Sequence, residues 1–182
     1  MAENFNSKPG TVPAQQAEKL AKNFGFLVKR LSRGEKAVGL GAILCLISFF
    51  LPWLIFSASA VKYMDLPKSL TGTSVGGWAY LLLVLMIVSL GLWYFSIGAA
   101  THAKIKHSSY QILMGTVFLT TAIVMRGLIS RVWGWFLEST SQFGSEMTKN
   151  LFSFSWGWWL LALGALLIII GALLVQKENL KG

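Results

Sequence analysis

The chain has 182 residues, 54% of them apolar and 13% charged, with 16 Lys and Arg against 7 Asp and Glu for a formal net charge of +9. Since an average soluble domain carries about 25% charged residues, the charge here must be concentrated outside long apolar stretches, which leaves no room for a separate soluble domain of ordinary size. The basic excess then points to anionic lipid headgroups, or an acidic partner at a membrane surface, and away from nucleic acid.

Residues 1–11 are polar and hold Gly and Pro, which predicts a disordered tail. Over residues 12–32 the pattern turns helical. Ala17, Leu20, Phe24, Leu27, Val28 and Leu31 fall on one stripe, while Lys19, Lys22, Lys29, Arg30 and Arg33 fall elsewhere on the wheel. An apolar stripe opposed by cations predicts an amphipathic helix lying in the headgroup plane, and the same stripe would also serve to pack on the bundle or a neighbour. Ser32-Arg33-Gly34-Glu35 has capping-box spacing and marks the start of the next helix.

Four long, nearly uncharged apolar runs follow, over about 38–58, 78–100, 110–128 and 156–175, within a bundle expected to occupy residues 33–176. Each reaches the roughly 20 residues needed to cross about 30 Å of hydrocarbon. In lipid every backbone polar group must be satisfied internally, so each run is expected to be a spanning helix. The first begins only after about 37 mostly polar residues, as a retained anchor does and a cleaved signal does not. Pro52 predicts a kink or early helix end in that run. Residues 59–77, rich in Gly, Ser and Thr, read as loop. Residues 129–155 read as a second interfacial helix or an outward extension of the third span. Phe152, Phe154, Trp156 and Trp158 alternate with small residues at period two, but a run this short at a membrane boundary is taken as an aromatic anchor rather than a strand. Residues 177–182 form a C-terminal tail.

Lysine and arginine set the expected orientation. Lys8, Lys19, Lys22, Lys29, Arg30, Arg33, Lys36, Lys104, Lys106, Lys177 and Lys181 lie on one side of the four crossings. Lys62, Lys68, Arg126, Arg131 and Lys149 lie on the other, so the positive-inside rule puts both termini in the cytoplasm, with a bacterial cytoplasmic membrane as the expected home. Trp53, Trp78, Trp133, Trp135, Trp156, Trp158 and Trp159 all fall at the opposite boundary and read as an outer aromatic belt, with Trp93 the exception.

Small residues supply the packing signal. Gly157, Gly164 and Gly171 recur every seven residues in the fourth run, and Gly77, Gly91 and Gly98 keep that register in the second. A seven-residue step holds them on one helix face, where close approach drives association in lipid. Gly115, Thr116, Thr120 and Gly127 offer a comparable surface in the third run. These faces would join the helices to one another or to other subunits.

Chemistry-bearing residues are sparse. The four runs hold no Asp, Glu, Lys or His, and Arg126 lies near one end of its run, where it can snorkel to the headgroups. Proton-coupled exporters need an embedded carboxylate, thiol oxidoreductases need cysteine pairs, and claudin-like barrier proteins carry an extracellular pair; Cys45 is alone. His102 and His107 lack the spacing that puts two ligands on one helix face. No cofactor or metal site is expected.

The expectation is an all-α, four-helix transmembrane bundle preceded by a cytoplasmic amphipathic helix. It would be non-catalytic, an accessory or scaffolding subunit that meets anionic lipid and other membrane subunits or copies of itself. The alternatives are an oligomeric pore with Thr116, Thr120, Thr121 and Arg126 facing one lumen, and a lipid-binding, membrane-shaping protein.

Overall fold

The computed structural model describes residues 31–58, 61–62, 65, 67–74, 76–97, 99–139 and 152–180, and of residues 78 and 132–139 the backbone alone. Two compact units divide the chain, residues 1–32 and residues 33–182, and the second carries the bundle. The expected tail and almost all of the expected amphipathic helix, with Lys19, Lys22, Lys29 and Arg30, lie outside the described residues.

Among the described residues, four α-helices and three short strands follow in chain order: α1 (Arg33–Phe50), β1 (Pro52–Phe56), β2 (Ser69–Thr71), α2 (Gly77–Ser96), α3 (Thr101–Ser139), β3 (Phe152–Phe154) and α4 (Trp156–Asn179). Three helical segments among the described residues are long and apolar enough to cross a membrane: Ala79–Ser96, Thr101–Arg131 and Trp156–Asn179. The expectation of four uninterrupted spans is corrected at the first. Helix α1 stops at Phe50 because Pro52 can neither donate an amide hydrogen nor tolerate the preceding turn, and the chain continues as a strand. Charges at Arg33, Glu35 and Lys36 occupy its first turn, so its purely apolar stretch is short.

The all-α expectation is corrected by the sheet, antiparallel in the order β2-β1-β3. Central β1 pairs Leu54 with Leu70 and Ile55 with Ser69 on one side, and Leu54 with Phe154 and Phe56 with Phe152 on the other, with a register irregularity between Pro52 and Leu54 on the β2 side. Phe152-Ser153-Phe154 is therefore a strand, since a period-two run needs only one partner edge, and β1 supplies it. The expected loop over 59–77 contains β2 and a single 3-10 turn at Gly72–Ser74. Helix α3 is one element of 39 residues, which extends the third run at both ends through His102 and past Arg131. Helix α4 likewise runs on to Asn179, beyond the expected span end.

Helix α1 packs most extensively on α4, α4 on α3, and α2 closes the ring more thinly against α1 and α3. Bringing two helix backbones together requires that neither carry a side chain at the crossing. A Cβ built on Gly41 would lie 2.6 Å from the Gly164 carbonyl oxygen, and one on Gly171 would lie 2.8 Å from that of Gly34. The interior is filled by side chains, with Phe49, Phe118, Met86, Leu161 and Ile168 fully buried at its centre. At the sheet end, Gly157 meets the backbone of Leu51 and Pro52. The Ser48 carbonyl there accepts from both the Leu51 amide and the Trp53 indole, which satisfies the frayed end of α1.

Candidate functional site

A buried polar seam occupies the end of the bundle away from the sheet. It begins on α3, where Lys104, His107, Ser108 and Gln111 are spaced by three and four and so share a helix face. That face turns inward toward the start of α1. The Glu35 carboxylate accepts a hydrogen bond from Lys104 Nζ at 2.8 Å, with the glutamate side chain 6% exposed and the lysine 24%. Glu35 is thus close to fully desolvated, whereas Lys104 keeps part of its hydration. A buried carboxylate is held only where a cation and further donors compensate its lost water.

Trp93 of α2 completes the wall. Its Nε1 donates to the Glu35 backbone carbonyl at 2.7 Å, and its ring lies against Gly39. A Cβ there would run into the indole, so this glycine is what admits the ring. One turn deeper, Ser89 Oγ donates to Gln111 Oε1 at 2.7 Å, and Gln111 Nε2 donates back to the Ser89 carbonyl at 2.6 Å. The exchange joins α2 to α3 with both side chains buried and satisfied.

Between these groups lies a cavity of about 10 Å³, lined by residues that include Glu35, Trp93, Lys104, His107 and Gln111. That space is about one water molecule. His107 lines the cavity, and its Nδ1 is the one buried side-chain nitrogen or oxygen among the described residues found with no partner. A water there would give the imidazole a partner and touch the ion pair. The arrangement is an electrostatic latch across three helices. Among the described residues no three His, Cys, Asp or Glu side chains converge as metal ligands do.

In the sequence Glu35 reads as part of a capping box, Lys104 as an orienting charge, His107 as one of two histidines without ligand spacing and Trp93 as the exception to the belt, and they are not joined into one seam. The signal was present in the 104, 107/108, 111 spacing, but beginning the third span at Tyr110 cut the face in two.

The residues that were singled out are placed as follows. Gly157, Gly164 and Gly171 all sit on the α1 side of α4 in close backbone contact. Gly115 approaches Ile169 and the Ala165 carbonyl, so it belongs to the α3–α4 contact. Gly91 faces open space, a Cβ there meeting nothing within 4 Å, and Gly98 lies outside the described residues. Thr116 and Thr120 are exposed on α3, and the Thr116 hydroxyl is taken up by the Ile112 carbonyl. Arg33 is exposed at the first residue of α1.

The tryptophans expected in the outer belt differ in exposure. Trp156 and Trp159 are exposed, but Trp53 and Trp158 are buried, because each indole finds a helix carbonyl, Ser48 for the first and Ala122 for the second. Buried indoles need such an acceptor. The side chains of Trp78, Trp133 and Trp135 lie outside the described residues.

The chain matches no protein-family model, no curated protein and no solved structure.

Proposed function

We propose that this chain is a small multi-pass integral membrane protein with four crossings, serving without catalysis as an accessory or scaffolding subunit of a membrane assembly or as a homo-oligomer. The observation that carries the reading is the outward surface of α1. Leu40, Ile43, Ile47 and Phe50 recur there at helical spacing and are all exposed, an apolar face that water would penalise and lipid would not. Helix α1 also lies along α4 from Gly34 against Gly171 to Leu51 against Gly157, so a bilayer that encloses α4 encloses α1 at the same depth. The side-chain-filled interior and the polar latch favour a rigid body that holds neighbours in place.

Two measurements test this. Membranes carrying the protein are washed with alkaline carbonate, and native mass spectrometry in mild detergent then reports copy number and copurifying subunits. Retention in the pellet with a defined complex is the expected result. Release by carbonate, or a strictly monomeric and partnerless species at every detergent concentration, defeats the proposal.

The pore reading draws on one observation. Thr120 and Thr121, with Val124, Met125, Leu128 and Ile129, border an open groove of about 430 Å³ on α3. It requires several copies to bring these grooves around one axis, and planar-bilayer conductance of the purified protein decides it.

A further inference from the structure

Arg126 has a second set of neighbours that the scaffold reading does not use. Its guanidinium carbon sits 5.3 Å from the centre of the Phe154 ring and 5.1 Å from that of Trp158. The two rings are 5.2 Å apart and tilted by 52°, a platform with Phe152 at one end and Trp159 at the other. The platform is fixed from two directions. Trp158 Nε1 donates to the Ala122 carbonyl at 3.0 Å, one turn before Arg126 on the same helix, while β3 holds Phe154 against Leu54 of β1.

Stacking engages the flat face of a guanidinium and leaves its N–H groups radiating in the plane, the geometry that binds a phosphate through two parallel hydrogen bonds. Arg126 is exposed. It lies little more than a helical turn inside the end of the apolar segment Thr101–Arg131, at the end of the bundle where Trp156 is 77% and Trp159 53% exposed. Exposed tryptophans mark headgroup depth in a bilayer, and that is where lipid phosphates lie.

We propose that Arg126, held on the Phe154 and Trp158 rings, binds the phosphate of one phospholipid molecule. The site rests on the chain being embedded in a membrane. It is independent of any scaffolding partner, and the carbonate wash described above tests the embedding separately.

The protein is purified in mild detergent and offered phosphatidylglycerol, the matched diacylglycerol or inorganic phosphate, and native mass spectrometry counts what is retained. Wild type is expected to keep one phosphatidylglycerol per chain, about tenfold more readily than diacylglycerol, with no displacement by inorganic phosphate. Arg126→Gln should abolish that preference. Arg126→Lys keeps the charge without the planar fork, and Phe154→Leu keeps the apolar bulk without the ring; each should lower retention about threefold. Circular dichroism and tryptophan emission verify that each variant is folded, and the two milder variants carry the test if Arg126→Gln is not. Equal retention of lipid by wild type and the folded variants overturns the proposal. So does displacement by inorganic phosphate, which would make the site one for a free anion. A change in copy number with lipid retention unaltered also overturns it, by making Arg126 a subunit contact.

Discussion

Adding one methyl group to Gly164 should damage the bundle, while adding one to Gly91 should not, although each belongs to a seven-residue glycine repeat in its own helix. At Gly164 the new Cβ would lie 2.7 Å from Cys45 Sγ, 2.8 Å from the Gly41 carbonyl oxygen and 3.0 Å from the Cys45 amide nitrogen. Two of those three atoms are backbone and cannot rotate aside, so α1 and α4 must separate. Restoring ordinary contact takes roughly 0.6 Å, a gap that forfeits a quarter to a half of the attraction between atoms along the seam. Overpacking of this kind costs about 2–3 kcal/mol, or roughly 30- to 160-fold in the folded/unfolded ratio. At Gly91 a Cβ meets nothing within 4 Å. There the substitution carries only the helix-propensity gain of alanine over glycine, up to about 1 kcal/mol. Reversible unfolding in mixed micelles of rising SDS content, followed by the emission of buried Trp53 and Trp158, measures both variants. Gly164→Ala should unfold at a clearly lower SDS fraction and Gly91→Ala at or above that of wild type. Coincident curves, or Gly91→Ala as the weaker variant, would refute the packing argument.

Three further outcomes are expected. In a double-mutant cycle, Glu35→Ala and Lys104→Ala should couple by about 1–2 kcal/mol, less than a fully buried pair because Lys104 retains some solvent; an additive cycle would remove the latch. Gln111→Leu should destabilise by about 1–3 kcal/mol, because the Ser89 hydroxyl then loses its buried acceptor, and adding Ser89→Ala should recover part of the loss; a double variant worse than the single one contradicts this. Cys45 is fully buried, and a maleimide should leave it unmodified until SDS unfolds the bundle, so rapid labelling of the native protein would show that α1 and α4 are not packed as described.

What the sequence discloses follows from how local each interaction is. Helices α2, α3 and α4 are legible because an apolar run long enough to cross lipid is a property of consecutive residues. Pro52 announces the end of α1 for the same reason. The sheet is not local. Its strands are three to five residues each and draw on segments about a hundred residues apart, and only the alternation in Phe152-Ser153-Phe154 leaves a trace. The glycines divide along that line as well. Gly91 and Gly164 are indistinguishable by spacing, because which face of a helix meets a neighbour depends on the neighbour. The polar seam is the least legible feature. Lys104 and His107 look like solvated residues of a connecting loop until α3 is seen to begin at Thr101 and turn them toward Glu35.

The same logic explains why α1 is tied to its neighbours by polar contacts as well as by packing. Between helices in lipid there is no hydrophobic gain, so association depends on close packing and hydrogen bonds. Helix α1 is the least able to cross a membrane unaided, with charges in its first turn and a proline just past its end. It is held by several ties: Glu35 to Lys104, its carbonyl to Trp93, Cys45 Sγ to the Leu161 carbonyl, and glycines interlocked with α4 along its length. Helix α2, an apolar candidate span, is joined more thinly. The densest interhelical contact thus sets the helix with charges in its first turn against the most apolar helix, α4, which makes α1 dependent on that neighbour. Weakening the α1–α4 seam should therefore expose α1 before any other helix comes loose.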